Sequence, residues 1–210
     1  MRARPILPSL RTINRYGKPV VFVACLIPLS LLLLRVFEIG SFRLGPNPIE
    51  DIQDALGEWG LRFLLLTLAV TPLRYAIGQA WPVQFRRMLG LFAFTYCALH
   101  FLNYLVLDHR FDLDRIVEDV IERPFITIGF VALLAMIPLA VTSTSGWRRK
   151  LGRNWVTLHK LVYGIAAAGC WHFFMQVKKD LTEPLIYVAI LVVLLGVRVV
   201  HDARRASAAA

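Results

Sequence analysis

Long apolar segments alternate with short polar segments along the whole chain. Six of the apolar segments are long enough to cross the hydrocarbon core of a bilayer, which takes roughly 20 residues of helix. We expect transmembrane helices over Pro19–Phe37, about Gly57–Ala76, Met88–Leu107, Phe125–Val141, Trp155–Gln176 and Pro184–Val200. The sequence therefore predicts an all-α fold, a polytopic bundle of six transmembrane helices.

The segments between these spans differ in character. Gly45-Pro-Asn-Pro48 predicts a turn, and the acidic residues from Glu50 to Glu58 predict an amphipathic stretch after it. The charged segment Asp108–Arg123 predicts a short helix at the membrane surface. No internal repeat is evident. We expect three parts: a basic tail at 1–18, one membrane domain at 19–200 and a polar tail at 201–210.

Composition supports a membrane protein over a soluble or nucleic-acid-binding one. The 210 residues are 57% hydrophobic, with a mean hydropathy of +0.59, which is more apolar than a soluble domain of this size requires. The net charge is +10, but the basic residues cluster at span ends and tails, as topology signals do. Cys25, Cys97 and Cys170 lie in apolar segments without a C-x-x-C pair, which predicts buried thiols. No C-x-x-C-H motif is present, so any haem would be bound non-covalently.

Charge also indicates the orientation. If the N-terminus is cytoplasmic and six spans alternate, the tails and inner loops hold most of the 24 Lys and Arg residues. All of the 14 acidic residues except Asp202 then fall on the other side. Because a Lys/Arg excess in short loops marks the cytoplasmic side, both termini are predicted to be cytoplasmic.

Histidines are the residues within the spans that suggest chemistry. Three of the five lie inside predicted spans, at His100, His159 and His172, while His109 and His201 lie in a loop and a tail and are expected to be solvated. At 1.5 Å per residue, His100 lies about 18 Å and His172 about 25 Å from the inner ends of their spans. His159 lies only about 6 Å deep by the same rise. Two imidazoles on facing helices suit a six-coordinate haem b, so His100 and His172 are the predicted iron ligands, with His159 a further candidate.

Other functions would require residues that these spans lack. The third and fifth spans contain no carboxylate, which a dinuclear metal site or a proton relay would usually need. No G-x-G-x-x-G motif, P-loop or long soluble segment offers a nicotinamide nucleotide site. Electrons would therefore enter from a membrane-soluble donor or another protein. The alternative is a haem-free transporter or scaffold that uses the histidines as polar contacts between helices.

Several arginines near span ends are candidates for binding a haem propionate or a flavin phosphate. They are Arg62, Arg74, Arg86, Arg87 and Arg153. Arginine binds both groups strongly, although most basic residues at such positions set topology or contact lipid headgroups. His159 lies near the same inner surface, and histidine accepts a proton near neutral pH. It is therefore also a candidate for a quinone site, since quinol oxidation releases protons.

Four stretches carry a resemblance to a known family. They are residues 45–50, 65–74, 86–96 with the nearby His100, and 155–163, which contains LHKLVY. These motifs resemble the MsrQ (formerly YedZ) family, haem-binding membrane subunits of bacterial periplasmic methionine sulfoxide reductase systems. More broadly, the chain is similar to ferric-reductase-like transmembrane proteins over nearly its whole length.

The resemblance implies a multi-pass protein of the bacterial inner membrane that binds haem b and FMN. It implies that electrons pass from ubiquinone or menaquinone to a periplasmic molybdopterin-containing reductase subunit, supporting repair of oxidised proteins. The chain would then be an electron-transfer subunit without the terminal catalytic site. Ferric reductases usually carry two histidines on the third span, whereas the inner position here falls at Arg86 or Arg87. The opposite direction, from a periplasmic donor to quinone, is the alternative.

Overall fold

The computed structural model describes residues 12–177 and 179–208, and all of its regular structure there is helical. One-turn π-helical segments, Ile13–Gly17 and Tyr104–Asp108, lie before the first helix and after the third. The helices are α1 Lys18–Val36, α2 Pro48–Ile77, α3 Val83–Asn103, α4 Leu113–Glu122, α5 Pro124–Val141, α6 Ser145–Leu151, α7 Arg153–His159, α8 Leu161–Gln176 and α9 Thr182–Ser207. Most of the predicted basic tail at 1–18 lies outside the described residues.

Within the described residues, five helical stretches are long and apolar enough to cross a membrane. They are Ile13–Val36, Pro48–Ile77, Val83–Asp108, Pro124–Val141 and Thr182–Ser207. They coincide with the predicted first, second, third, fourth and sixth spans. The all-α class and the membrane assignment are therefore confirmed. The count of six spans, their orientation and the division into three parts stay predictions.

The predicted fifth span, Trp155–Gln176, is not one continuous helix. It breaks at Lys160, whose N–H bonds to the carbonyl of Thr157 at 3.2 Å, the i→i−3 bond of a tighter turn. The helix α8 beyond the break has 16 residues, about 24 Å at the usual rise. The prediction of a single helix was wrong here, because apolar length does not reveal a local change of turn.

Prolines, a glycine and an aspartate mark several helix ends. Pro48 and Pro124 lie in the first turns of α2 and α5, where proline's missing N–H costs nothing. The side chain of Asp112 accepts a hydrogen bond from the Arg115 N–H and caps α4. Gly78, with φ of 66°, ends α2 in the left-handed region that favours glycine.

The short surface helix expected between Asp108 and Arg123 is present as α4. Its apolar residues Leu113, Val117 and Ile121 are exposed by 70%, 57% and 74%. They are spaced by four residues and share one face of the helix. An exposed apolar face opposite charged residues is typical of a helix that lies along the membrane surface.

Two helical hairpins form the centre of the bundle. In the first, α2 packs along α3, and in the second, α5 packs along α8. The helix α2 also contacts α1, α8 and α9, and its side chains Leu61, Phe63, Leu64 and Leu68 are almost fully buried. This arrangement places α3 and α8, which carry His100 and His172, in different hairpins.

Tyr96 attaches α1 to α3 through the hydrogen-bond ladder of α1. The N–H of Leu29 donates to the Tyr96 hydroxyl at 2.9 Å, and the hydroxyl donates to the carbonyl of Cys25 at 2.9 Å. These two backbone groups would bond each other in a regular helix. Pro28, which has no N–H, lies in the same turn. A side chain inserted beside a proline is a recognised cause of a helix bend, and here it anchors α1 to the bundle.

The orientation can be tested with topology reporters. Fusions after Asn47, Arg115 and Lys179 are expected to report the periplasm, because the Lys/Arg excess lies at the other ends of the spans. Matched fusions after Gly78 and Gly152 should report the cytoplasm. A cytoplasmic signal at two of the first three positions would contradict the proposed topology.

Candidate functional site

His100 on α3 and His172 on α8 lie side by side. Their ring centroids are 6.2 Å apart, and the ring planes are nearly perpendicular, at 88°. Both residues are half-buried. The structure thus brings together the two histidines that were paired by depth along their spans.

The His100 ring rests on the backbone of α2 at Gly57. A Cβ added at Gly57 would lie 2.9 Å from both Nδ1 and Cε1 of His100. The Nδ1 atom is 2.9 Å from the carbonyl oxygen of Gln53, one turn earlier in α2. Because a carbonyl only accepts, Nδ1 must donate here. Glycine at this position lets the imidazole reach the helix backbone.

His172 rests on α5 in the same way. A Cβ added at Gly129 would lie 2.8 Å from Nδ1 and 2.9 Å from Cε1 of His172. The Nδ1 atom donates to the carbonyl of Phe125, one turn earlier, at 2.6 Å. Each histidine therefore has a glycine seat and a backbone acceptor on the partner helix of its own hairpin.

The two hairpins repeat one another at the site. In both, 47 residues separate the histidine from its carbonyl partner, and the glycine follows the carbonyl residue by one helical turn. The likeness is one of spacing at the histidines, and the expectation that the sequence has no internal repeat stays a prediction. Few residue types match between the halves, Gly57 with Gly129 and His100 with His172 among them. The signal was the equal spacing from glycine to histidine, which hydropathy alone does not show.

The backbone acceptors determine which ring nitrogen is free. An imidazole that donates from Nδ1 keeps the lone pair of Nε2 for a metal ion, and such an outer partner is usual for metal-binding histidines. The Nε2 atom of His100 lies 3.3 Å from the side-chain nitrogen of Gln53. The Gln53 side-chain oxygen in turn accepts from Asn103 at 2.6 Å. Gln53 thus contacts both nitrogens of His100, and its side-chain amide would have to turn away from Nε2 for a metal ion to bind there.

The pair fits a metal ion bound between the two rings. Two imidazoles that share one ion through Nε2 have centroids roughly 6 Å apart, because each metal–nitrogen bond is about 2 Å and each ring adds about 1 Å. The observed 6.2 Å agrees with this separation. Within the described chain, α3 and α8 make no extended contact with each other. The residues present therefore suit an iron ion between them.

His159 lies in a different group of side chains, at the end of α7. Its Nε2 is 3.1 Å from the hydroxyl of Thr142, and its ring stacks on Trp155 with centroids 3.9 Å apart. Trp155 donates from Nε1 to the carbonyl of Thr142 at 3.0 Å. Arg86 interacts electrostatically with His159. The structure therefore places His159 apart from the His100–His172 pair, in a basic and aromatic environment.

The arginines predicted to bind an anionic group differ in their surroundings. Arg62 forms an ion pair with Glu58 at 2.6 Å and donates to the hydroxyl of Tyr187 at 2.6 Å. Arg86 is half-buried, whereas the remaining three candidates are exposed, at Arg74, Arg87 and Arg153. Arg62 thus already has an acidic partner, and the binding roles of all five stay predictions.

Sequence reasoning missed one buried arginine. Arg198 on α9 is 7% exposed. It donates to the hydroxyl of Tyr163 at 2.6 Å and to the carbonyl of Leu68. That carbonyl lacks its usual partner because Pro72, four residues later, has no N–H. Because Arg198 lies near the end of an apolar span, its position in the sequence is typical of a topology determinant. Only Pro72 indicates that a backbone carbonyl, that of Leu68, is left without a partner in α2.

The two histidines outside the spans are not free in solution. His109 has a side chain that is 13% exposed and lies 3.1 Å from a carboxylate oxygen of Asp119. His201 stacks on Tyr75 with ring centroids 3.6 Å apart. The expectation of solvated side chains was therefore wrong for both. Each packs against a residue that only the fold brings close, and the hydropathy pattern does not reveal that contact.

The cysteines agree with the sequence analysis. All three are free thiols, with Cys25 and Cys170 buried and Cys97 half-buried. Among residues 12–177 and 179–208, no group of three or more His, Cys, Asp or Glu side chains is arranged to hold a metal ion. The prediction of unpaired thiols in the apolar helices is therefore confirmed, and that of burial is confirmed for Cys25 and Cys170.

Together, the fold and the site define a polytopic helical membrane protein with paired histidines contributed by two hairpins. Residues 56–170 match the family model for the ferric reductase like transmembrane component. That match includes His100 and His159 and ends shortly before His172.

Curated relatives identify the family more narrowly. A protein-methionine-sulfoxide reductase heme-binding subunit MsrQ of Rhodospirillum rubrum is 50% identical over 93% of this chain and 93% of its own length. The MsrQ of Xanthomonas euvesicatoria is 49% identical over 87% of this chain and 85% of its own. The chain belongs to the MsrQ family of heme-binding subunits, within the ferric-reductase-like transmembrane group. The resemblance predicted from the sequence is confirmed.

Proposed function

We propose that this protein is a membrane cytochrome b that holds one haem b between His100 and His172. The observation that carries the proposal is the matched orientation of the two imidazoles, each donating from Nδ1 to a backbone carbonyl. Relatives of this chain are named heme-binding subunits, which supports the same cofactor. Haem ligated on both faces supplies one-electron transfer and leaves no coordination position for oxygen or substrate.

The protein's own residues prepare the site. The carbonyls of Gln53 and Phe125 fix the tautomer of each ring, so that Nε2 would be the nitrogen that binds the metal ion. Gly57 and Gly129 hold the rings at a fixed depth, because each ring rests directly on a helix backbone. The two ligands are therefore preorganised.

We further propose the route of the electrons. Electrons would enter from a quinol in the inner membrane near the cytoplasmic surface and leave toward a periplasmic molybdopterin-containing methionine sulfoxide reductase. Haem b, which His100 and His172 would hold, and FMN would supply the redox chemistry between these two ends. The names of the relatives support a partner in such a system. The absence of a nicotinamide nucleotide motif from the sequence supports a membrane-soluble donor. The subunit itself has no terminal catalytic site in this scheme.

Quinol-driven reduction of the haem tests the entry route. His159→Ala is expected to keep the haem absorbance but to slow reduction by a quinol analogue about tenfold, because histidine near the inner surface accepts a proton from the quinol. Reduction by dithionite should be unchanged, since that reagent needs no binding site. Stopped-flow absorbance at the α band of the reduced protein measures both rates.

His201→Ala is the matched control, because it removes another histidine near the inner end of the bundle. It should leave both rates unchanged. Equal quinol-driven rates in the parent and His159→Ala would rule out this role for His159. A reduced spectrum without a b-type α band in the parent would instead overturn the proposal of a cytochrome.

A further inference from the structure

Arg198, near one end of the bundle, is a buried arginine beside the hydroxyl of Tyr163. Arg86, at the start of α3, is half-buried, and its charge lies near enough to those of Arg198 and Tyr163 to interact with them. Arg198 comes from α9 and is 7% exposed. Neither side chain has a carboxylate partner among residues 12–177 and 179–208. Asp202, the acidic residue expected on this side, is 73% exposed and lies 3.6 Å from His201.

The structural contacts of Arg198 use only part of its guanidinium. One N–H group bonds to Tyr163 and another to the free carbonyl of Leu68. The Nε atom is buried and has no hydrogen-bond partner. Capping a carbonyl therefore accounts for neither the positive charge nor the unused donors of Arg198. Tyr163 accepts from Arg198, so its own hydroxyl proton is free to donate as well.

The charges favour an anion at this place. Two guanidinium groups repel one another, and their repulsion is stronger in a membrane-embedded bundle than in water. An uncompensated buried charge is costly unless a partner neutralises it. The two arginines have more unused N–H groups than the two oxygens of one carboxylate can accept. A phosphate group has three terminal acceptor oxygens and matches these donors better. Arginine binds such groups in a bidentate manner.

We propose that Arg86, Arg198 and Tyr163 form a binding site for the phosphate group of an amphiphilic ligand. A flavin nucleotide and a phospholipid both carry this group, and the half-buried Arg86 offers the approach. The site is separate from the histidine pair: Arg86 and His100 share α3 and are about 20 Å apart along its axis. Arg86 also lies near enough to His159 for their charges to interact. The flavin ligand rests on the proposed electron route, whereas the phospholipid ligand does not.

The test compares ligands that differ only in the phosphate. Binding of FMN and of riboflavin to the purified full-length protein is measured by flavin fluorescence. Retention of phosphatidylglycerol and of diacylglycerol is measured on the delipidated protein by native mass spectrometry. The parent is expected to prefer the phosphate-bearing member of at least one pair about tenfold or more. Which pair shows the preference identifies the source of the phosphate.

Arg86→Gln and Arg198→Gln are expected to abolish this preference, and Arg204→Gln, on the exposed end of α9, to keep it. Arg86→Gln removes no hydrogen bond to a described residue, so it tests the site even where Arg198→Gln disturbs packing at Leu68. No preference in the parent, or a preference that survives both substitutions, would overturn the site. The haem spectrum is recorded separately, so that loss of haem counts against the proposed function and not against the phosphate site.

Discussion

His172→Ala and His100→Ala are each expected to remove most of the haem from the purified protein. Either change would remove one of the two histidines proposed to hold the haem and leave only the other, whose ring lies 6.2 Å away in the parent. The effect should be large because the proposed site has no third ligand on these helices. Haem per protein, measured as the pyridine haemochrome, should fall about tenfold or more, and a low-spin spectrum should be lost.

His109→Ala and His201→Ala are the matched controls. They remove histidines that pack against Asp119 and Tyr75, away from the pair. Both should retain the haem content and the spectrum of the parent. If His100→Ala and His172→Ala both kept full haem with an unchanged spectrum, the ligand assignment would be wrong. If His159→Ala were the only variant to lose haem, His159 would be the haem ligand, and the haem site would lie at the inner end of the bundle.

Gly57→Ala and Gly129→Ala are expected to weaken haem binding although neither residue is a ligand. The added methyl group would lie 2.9 Å from His100 or 2.8 Å from His172, closer than van der Waals contact permits. The ring must therefore move off the helix, which breaks its bond to the backbone carbonyl. Loss of such an outer contact typically costs 10–100-fold in metal affinity. Haem titration of the haem-depleted protein measures the change.

Gly164→Ala and Gly196→Ala make the same change where nothing lies within 4 Å of the new methyl group. Both lie inside helices, α8 and α9, where alanine is favoured over glycine. They should bind haem as the parent does. If Gly57→Ala and Gly129→Ala matched these controls in haem affinity, the glycine seats would have no part in positioning the ligands.

The depth pairing of His100 and His172 could be predicted from the sequence because helix rise is regular. Two residues that are a similar number of positions from the same membrane surface lie at similar depths, whatever the side-chain packing. Apolar length located most spans but not all of their bounds, since α2 begins at Pro48 and not near Gly57, and α9 ends at Ser207 and not at Val200. The regularity fails at Lys160, where two i→i−3 bonds, Lys160 to Thr157 and Tyr163 to Lys160, divide a span that is continuous by hydropathy.

Contacts between distant parts of the chain could not be predicted. Gly57 under His100 and Gly129 under His172 depend on which helices are neighbours, and apolar periodicity does not specify this in a bundle that is apolar throughout. The contact of Arg198 with Leu68 needs both the position of α9 and the gap that Pro72 leaves in the ladder of α2. Tyr96 likewise reads as an ordinary aromatic residue until α1 is placed beside it.

The repeated hairpins bear on how the protein is made. Each histidine has its glycine seat and its carbonyl acceptor within its own hairpin. Half of the site would therefore form from α2 and α3 before α5 and α8 are synthesised, with the ring of His100 already oriented. A ligand bound by both rings would then link two separately assembled halves, and the occupied protein would resist separation of the hairpins more than the empty one. Haem insertion would thereby be the closing step of biogenesis.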